Sequence, residues 1–258
     1  MLPPTRRFDI AIEEDLVEEI ARIHGYDAIP TTTPAGQIGL VAPPETRVAE
    51  AVLRRQLVGR DFLEAVNYAF VDASALAAWQ LEAGAVALAN PLSSELGVMR
   101  TSLLPGLVAA LQRNRARQQP RVRLFELGRV FHLADGAPRE TQRIAAVACG
   151  PQAAEQWSSE RREVDFHDLK ADVEALLALA DARAEFRPDD RPFGHPGRSA
   201  SVWRDGQCIG WIGHLHPALA RRLDLDGEVM AFELDLAPLA ARAVPRAGEL
   251  SRYPSVRR

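Results

Sequence analysis

Four acidic residues near the amino terminus have the types and spacing of a divalent-cation site. Asp9 lies six residues before Asp15, and Glu18 and Glu19 follow Asp15 at the i+3 and i+4 positions of a predicted helix. Like charges at these spacings destabilise a helix by about 0.2–0.5 kcal/mol per pair unless something neutralises them. Carboxylate oxygens completed by water are ligands that Mg²⁺ accepts. The alternative is that the acids only favour the helix macrodipole, with Arg22 paired to Glu18.

Three histidines form a second group that could hold a metal ion. His214 and His216 are two residues apart in "GHLHP" and share a face if that segment is extended, and His195 is a third candidate ligand. Nothing in the sequence fixes the distances between them. The alternative is a turn before the predicted helix "PALARRL".

The densest basic stretch combines the end of a predicted helix with the strand after it. RNA phosphates are one possible target, and a solvated face that favours the helix carboxyl terminus is the other. Lys170 is the only lysine of the chain, which favours an effect of codon composition over a selected phosphate-binding surface. The stretch consists of Arg113, Arg115, Arg117, Arg121 and Arg123.

Composition limits the class of protein. The 258 residues are 47% hydrophobic and 26% charged, which is typical of a globular chain with a substantial core. A net charge of -4 argues against a chain whose main task is to coat nucleic acid. No apolar run is long enough to cross a membrane, and the first residues lack a secretory signal, so we expect a cytoplasmic protein. The only cysteines, Cys149 and Cys208, are predicted to be buried thiols.

The first 44 residues predict a small leading element and a linker. Alternating apolar residues predict a strand over residues 8–12, "FDIAI". A helix follows in "EEDLVEEIARIHG", with acidic residues in its first turn and Gly25 at the position of a helix stop. Residues 30–44 are rich in Thr, Pro and Gly without periodicity, which predicts a linker.

The rest of the chain predicts an α+β fold, an antiparallel β-sheet flanked by helices. Asp135-Gly136 and Asp205-Gly206 each separate two strand-like runs, which is a strong hairpin signal. Helices interspersed at irregular intervals favour such a layered fold over a parallel one. The predicted helices cover residues 46–57, a segment that begins at Pro105, and residues 165–180; further strands are predicted in "EAVNYAFV" and "EVMAFELDL".

Five segments, in the same order along nearly the whole chain, resemble the β subunit of bacterial phenylalanyl-tRNA synthetase. They are "FDIAIEEDLVEEIARIHGYDAIP", "NPLSSELGVMRTSLLPGLVAAL", "RLFELGRVF", "HPGRSASVWRDGQCIGWIGHLHP" and "YPSVRR". The resemblance implies that residues 1–30 end a winged-helix-like domain and that residues 31–44 are a linker. It implies that residues 45–245 are similar to a class II synthetase catalytic domain and that residues 246–258 begin a ferredoxin-like anticodon-binding domain.

The resemblance also implies a scaffold without a complete active site. A class II synthetase module holds the α-phosphate of ATP with one arginine and clamps ATP with a glycine-rich strand that ends in another. Arg100 in "VMRTSLLPG" resembles the first region, but no Gly-x-Gly-x-Gly-x-Glu-Arg stretch follows "AFELDL". Because adenylyl transfer depends on positioned charge, half a clamp leaves negligible activity. The resemblance implies that the α subunit carries the chemistry and that this chain does not bind the ATP.

The family's magnesium ligands are an Asp, an Asp and a Glu-Glu pair with this same spacing. The resemblance therefore implies a magnesium site at Asp9, Asp15, Glu18 and Glu19, shared with the α subunit.

The expected partners are the α subunit, in an α₂β₂ heterotetramer, and tRNA(Phe). Class II modules pair through their first signature helix and the strand after it, which makes the predicted helix 46–57 the candidate docking element. Val48, Val52 and Leu53 spread apolar groups around more of this helix than one core-facing stripe requires, which predicts a second buried surface. The alternative is that the helix is enclosed within its own domain.

A second function from another class remains open. A free-standing synthetase-like protein could bind RNA or a small molecule for regulation. The chain begins inside one expected module and ends at the opening of another, which we expect of the ligase subunit rather than of a free-standing regulator.

Overall fold

The computed structural model describes residues 4–34, 36, 44–158 and 161–244. Contacts divide the chain into a leading unit, residues 1–42, and a main unit, residues 43–258. The predicted start of an anticodon-binding domain at 246–258 lies outside the described residues, as do positions 35 and 37–43 of the predicted linker. Within the described ranges, no helix is both long enough and apolar enough to cross a membrane.

The leading unit is built around helix α1, Glu13–His24. Its acidic first turn and the positive φ of 96° at Gly25 agree with the predicted start and stop. The predicted strand over residues 8–12 is wrong, since this segment forms turns and irregular backbone. The reason is local: the carboxylate of Asp15 accepts hydrogen bonds from the backbone N–H groups of Ala11 and Ile12. No residue of α1 is buried by the described part of the chain.

The main unit alternates short helices with strands. Its helices are α2 (Glu50–Val58), α3 (Ala73–Trp79), α4 (Leu104–Ala116), α5 (Phe166–Ala178), α6 (Pro217–Arg222) and α7 (Leu236–Ala240). Its strands are β1 (Leu63–Glu64), β2 (Phe70–Val71), β3 (Val98–Met99), β4 (Val122–Ala134), β5 (Ala137–Cys149), β6 (Glu185–Pro188), β7 (Gly194–Arg204), β8 (Gln207–Leu215) and β9 (Met230–Asp235).

Across the described residues, seven of these strands form one sheet in the order β1-β4-β5-β9-β8-β7-β6. Neighbours are antiparallel except β1, which pairs with β4 in parallel. This corrects the expectation of a purely antiparallel sheet. Strands β2 and β3 form a separate two-stranded sheet. The predicted α+β fold with a sheet flanked by helices is confirmed.

Helices cover both faces of the sheet. On β5, Ile144, Ala146 and Ala148 pack in one hydrophobic cluster, and the alternate residues Ala145, Val147 and Cys149 pack in another. Such alternation arises because successive side chains of a strand point to opposite faces. The first cluster includes residues of α2, α5 and α7, and the second includes residues of α3, α4 and α6. The sheet is therefore the middle layer of three.

The two Asp-Gly hairpins are confirmed. Asp135 and Gly136 have φ values of 53° and 76°, and Asp205 and Gly206 have values of 50° and 78°. Two consecutive positive φ values are the signature of a type I′ turn, whose twist matches that of the flanking strands. The helix with Pro105 in its first turn is confirmed as well, as α4.

Two element boundaries differ from the prediction. Helix α2 begins at Glu50 rather than at residue 46, because Arg47 forms a β-bridge with Ala241 and the Val48 N–H donates to the Ala240 carbonyl. The predicted strand "EAVNYAFV" is two strands, β1 and β2, in different sheets. Cys149 is buried as predicted, whereas Cys208 is only partly buried.

Candidate functional site

Arg7 joins two of the four predicted metal ligands. Its Nε donates to Asp9 Oδ1 at 3.0 Å, and its Nη2 lies 2.8 Å from Asp9 Oδ2. The same Nη2 lies 2.9 Å from Glu19 Oε1. The other oxygen of Glu19, Oε2, accepts from Arg22 at 2.8 Å, so Arg22 pairs with Glu19 and not with Glu18 as the alternative interpretation had it. Asp9 and Glu19 therefore contact the same guanidinium group, that of Arg7.

Neighbouring donors lower the pKa of three of these carboxyls. Hydrogen bonds from Arg7 and Arg22 lower the pKa of Glu19 to about 2. The hydrogen bond from Arg7 lowers the pKa of Asp9 as well. The pKa of Asp15 is lowered by the backbone N–H groups of Ile12 and Ala11. All three groups are therefore ionised at neutral pH. Each already accepts hydrogen bonds from donors of this chain.

The four carboxylates, as arranged in this chain, do not fit a magnesium ion. Magnesium requires several oxygens that converge at about 2.0–2.1 Å in octahedral geometry. Here the oxygens of Asp9 and Glu19 converge on an arginine nitrogen, and Asp15 Oδ2 is used by the backbone. Within the described residues, no group of three or more His, Cys, Asp or Glu side chains could hold a metal ion.

Arg100, the predicted remnant of a nucleotide clamp, is buried in the main unit. It is 6% exposed, and its Nη1 lies 2.6 Å from Glu126 Oε1. Its Nε donates to the Arg129 carbonyl at 2.9 Å, and Asn67 Nδ2 donates to the other oxygen of Glu126 at 2.7 Å. A Cβ at Gly128 would overlap the Arg100 guanidinium, so the pair requires glycine there. Arg100 is therefore ion-paired with a buried carboxylate of the same unit.

Glu233 is the centre of a second buried network that the sequence analysis missed. Its Oε1 accepts from the Leu103 N–H at 2.6 Å and from Ser102 Oγ at 3.1 Å. Its Oε2 accepts from Arg143 Nη1 at 3.0 Å. Arg143 also pairs with Asp235 at 2.8 Å. An acidic residue in the apolar strand "MAFELD" was the available signal, since a charge there must be paired if it is buried.

The three candidate histidines have separate structural roles. His216 precedes α6, and its Nδ1 accepts from the Ala218 N–H at 3.0 Å, which agrees with the turn interpretation. His214 is buried, with its Nδ1 3.4 Å from Glu228 Oε2. Its ring centroid is 6.2 Å from that of His195. Arg198, which pairs with Glu228, and Asp165 are the other charged groups that act on His214.

His214 predicts a loss of stability in mild acid. Burial lowers its pKa below the usual 6.5, against the opposing effect of Glu228. The unfolded chain therefore takes up this proton at a higher pH than the folded chain does. The contribution of neutral His214 to the free energy of unfolding is fully present above pH 6.5. It is lost as the pH falls through the pKa that His214 has in the folded chain.

Replacing His214 by glutamine should flatten the decline in unfolding free energy between neutral and mildly acidic pH. Urea unfolding at several pH values measures it. The matched control is the same replacement at His167, an exposed histidine of the same unit. If the unfolding free energies of wild type and His214→Gln changed equally with pH, the pH dependence could not be assigned to His214.

The arginine stretch is divided between surface and interior. Arg113 and Arg117 are exposed at the end of α4. Arg121 is partly buried and pairs with Asp61. Arg123 is buried, with Nη2 2.7 Å from Asp172 Oδ2 and its guanidinium 4.2 Å above the Phe62 ring. The stretch is therefore not one continuous phosphate-binding face, and Arg123 lies inside the fold.

The predicted docking residues of the segment 46–57 pack mostly in the chain's own core. Val48 and Leu53 are buried in it, and Val52 is partly buried and packs against it. This agrees with the alternative in which the helix is enclosed within its domain. Val58, the last residue of the helix, is 55% exposed. Beyond the helix, Leu63 is 70%, Val66 91% and Tyr68 77% exposed, on and after edge strand β1.

Two family models match the chain in sequence order. A model described as the tRNA synthetase B5 domain matches residues 1–26. A model described as the phenylalanyl tRNA synthetase beta chain CLM domain matches residues 29–236. The second match includes the whole of the described sheet.

Two curated relatives from different genera share one name. The chain is 63% identical over 257 residues to the phenylalanine–tRNA ligase beta subunit of Xanthomonas campestris pv. campestris strain 8004, a match that covers 99% of this chain and 32% of that protein. It is 56% identical to the subunit of the same name from Xylella fastidiosa strain Temecula1, over 100% of this chain and 33% of the relative. The chain thus spans about a third of the length of the relatives that it matches.

Among solved structures, the fold is similar to PylSc, a pyrrolysyl tRNA synthetase of Desulfitobacterium hafniense. The TM-score is 0.57 at 18% sequence identity, over 74% of this chain and 64% of the other. At this identity the likeness concerns the fold alone.

Proposed function

Because the chain belongs to the family of phenylalanyl-tRNA synthetase beta chains, we propose that it is the core segment of a phenylalanine–tRNA ligase β subunit. The holoenzyme charges tRNA(Phe) with phenylalanine at the expense of ATP, in the cytoplasm. The observation that carries the proposal is 63% identity over 99% of the chain to a relative named for that subunit. It favours the subunit over a free-standing regulatory protein.

We assign the chain a scaffold role in that enzyme. Arg100, which resembles part of a nucleotide clamp, is buried and paired with Glu126, so its guanidinium is not available to a phosphate. Electrostatic stabilisation of a transferring phosphoryl or adenylyl group requires charge that faces the substrate. The catalytic groups and the ATP site then belong to the α subunit.

The same proposal divides the chain into pieces of larger modules. Residues 1–30 end a winged-helix-like domain, 31–44 link it to the core at 45–245, and 246–258 begin an anticodon-binding domain. The match of residues 1–26 to a family model of their own supports a module distinct from the core.

Docking to the α subunit is the main physical task that we assign to the core. Leu63 lies on edge strand β1, and Val66 and Tyr68 follow it in the segment before β2, where a partner can cover these exposed side chains. Exposed apolar surface of this kind marks protein interfaces. An α₂β₂ assembly completes the proposal; the carboxylates of this chain alone do not form a magnesium site for it.

The scaffold role predicts that the purified chain forms no phenylalanyl-adenylate. Pyrophosphate exchange dependent on phenylalanine should stay at background, because the nucleotide clamp lacks its second arginine and its first one is buried. The assembled ligase is the positive control. Exchange by the chain alone that Arg100→Ala abolishes without unfolding the protein would contradict the scaffold role.

A further inference from the structure

A small polar cavity of the main unit lies between the end of α2, the start of β4 and helix α5. Its volume is about 250 Å³. Pockets that enclose a whole drug-sized molecule are typically about 300–1,000 Å³, so this one suits a small ion or a single group of a larger molecule. The charged residues that line it are Arg60, Arg121, Arg123, Asp61, Asp168 and Asp172.

Two of these arginines hold the same aspartate. Asp172 Oδ2 accepts from Arg123 Nη2 at 2.7 Å, and its Oδ1 accepts from Arg60 Nε. Both Asp172 and Arg123 are buried. Two guanidinium groups on one carboxylate leave an excess of positive charge at this wall of the cavity.

The other two aspartates do not remove that excess. Asp61 pairs with Arg121 at 3.2 Å. Asp168 pairs with Arg162, whose Nη2 lies 2.6 Å from Asp168 Oδ1. The cavity arginines together with Arg162 are four positive groups against three aspartates, which leaves one positive charge without a counterpart.

All three arginines of the cavity have hydrogen-bond donors that are not used. Nε of Arg123 is buried without a hydrogen-bond partner, and its Nη1 donates to no residue that the structure describes. Arg60 donates through Nε alone, within the same described part of the chain. Arg121 donates from Nε and Nη2 to carbonyls and to Asp61, which leaves its Nη1 without an acceptor. Buried polar groups are normally hydrogen-bonded, so an acceptor is missing at this place.

We infer that this cavity is a binding site for a phosphate-type oxyanion, held by the unused donors of Arg60, Arg121 and Arg123. The planar guanidinium presents a fork of N–H groups that matches the oxygens of such an anion. One bound anion supplies the missing acceptor and balances the excess charge. Free phosphate and a backbone phosphate of RNA present the same oxygens, and the cavity is large enough for either group.

Calorimetric titration of the 258-residue chain with inorganic phosphate tests the site. At constant ionic strength we expect saturable binding of phosphate and none of chloride, which lacks the oxygens that a guanidinium fork recognises. Arg60→Gln and Arg121→Gln should each weaken phosphate binding about tenfold, because each removes charge-assisted hydrogen bonds.

Arg117→Gln is the matched control. It removes the same charge from an exposed arginine at the end of α4, outside the cavity, and should leave phosphate binding unchanged. Arg121→Gln keeps both ion pairs of Asp172, so circular dichroism of this variant should match the wild type and separate loss of the ligand from loss of the fold. Absence of saturable phosphate binding by the wild type overturns the inference, as does equal weakening by Arg117→Gln and Arg121→Gln.

A second arm distinguishes the two sources of the phosphate. If RNA supplies the group, Arg121→Gln in the assembled ligase should lower affinity for tRNA(Phe) several-fold at fixed salt, and Arg117→Gln should lower it less. Unchanged tRNA affinity, with phosphate binding lost in the same variant, identifies a free oxyanion as the ligand. This arm rests on the proposed ligase function, whereas the phosphate titration does not, so failure of one is distinguishable from failure of the other.

Discussion

Replacing Glu126 by alanine should destabilise the main unit by about 3–5 kcal/mol, the usual cost of removing one partner of a buried ion pair. The change leaves the guanidinium of Arg100 buried beside Gly128 without a carboxylate, and it removes the acceptor of Asn67. A buried charge without a partner costs far more than the pair contributed. Urea unfolding followed by circular dichroism measures the effect.

An exposed pair on the adjoining strand supplies the control. Glu140 on β5 pairs with Arg129, and both side chains are more than half exposed. Glu140→Ala should change stability by at most about 1 kcal/mol, as exposed pairs do. The double replacement of Arg100 by methionine and Glu126 by leucine should cost less than Glu126→Ala alone, since it buries no unpaired charge. If Glu126→Ala costs no more than Glu140→Ala, Arg100 is free and its role as a phosphate ligand must be reconsidered.

Replacing Leu63 by aspartate in the full-length subunit should weaken association with the α subunit by several kcal/mol. Leu63 lies on edge strand β1, and a carboxylate there would have to be desolvated at the interface. Because Leu63 is 70% exposed in the chain alone, the substitution should leave the thermal unfolding of this chain nearly unchanged. Analytical ultracentrifugation of mixed subunits measures the association.

Leu92, which is 85% exposed, is the matched control for this substitution. Leu92→Asp introduces the same charge at another exposed apolar residue, in the segment before β3, and should leave association unchanged. Val52 is unsuitable for the test, because it packs against the chain's own core and an aspartate there would disturb the fold. Equal association of Leu63→Asp and wild type would place the docking surface away from β1.

The features that sequence reasoning predicted well depend on neighbouring residues. The Asp-Gly turns require only two positive φ values and strand-like runs of residues on either side. Both hairpins appear where they were predicted. The helix with Pro105 in its first turn is similarly local. The proximity of Asp15, Glu18 and Glu19 was visible for the same reason, since these three residues lie in one helix.

The features that sequence reasoning missed depend on residues far apart in the chain. Ser102 donates to Glu233 across 131 positions, and no local pattern indicates that contact. The start of α2 was misplaced because Arg47 and Val48 bind the distant segment at Ala240 and Ala241. Arg7 was overlooked because it lies outside the helix whose acids it neutralises. In each of these three cases, contacts between residues that are distant or outside the local pattern determined the structure, and local propensity could not predict it.

The two borders of the sheet differ in their capacity for strand addition. At the β6 border, Pro188 has no N–H to offer, Glu185 and Arg187 carry charges, and Arg187 covers the ring of Trp203. Prolines and charges on an outer strand are common protection against edge-to-edge aggregation. The β1 border is a two-residue strand with the apolar Leu63 exposed. Addition of another strand is therefore disfavoured at the β6 border, and the exposed apolar Leu63 leaves the β1 border the less protected of the two.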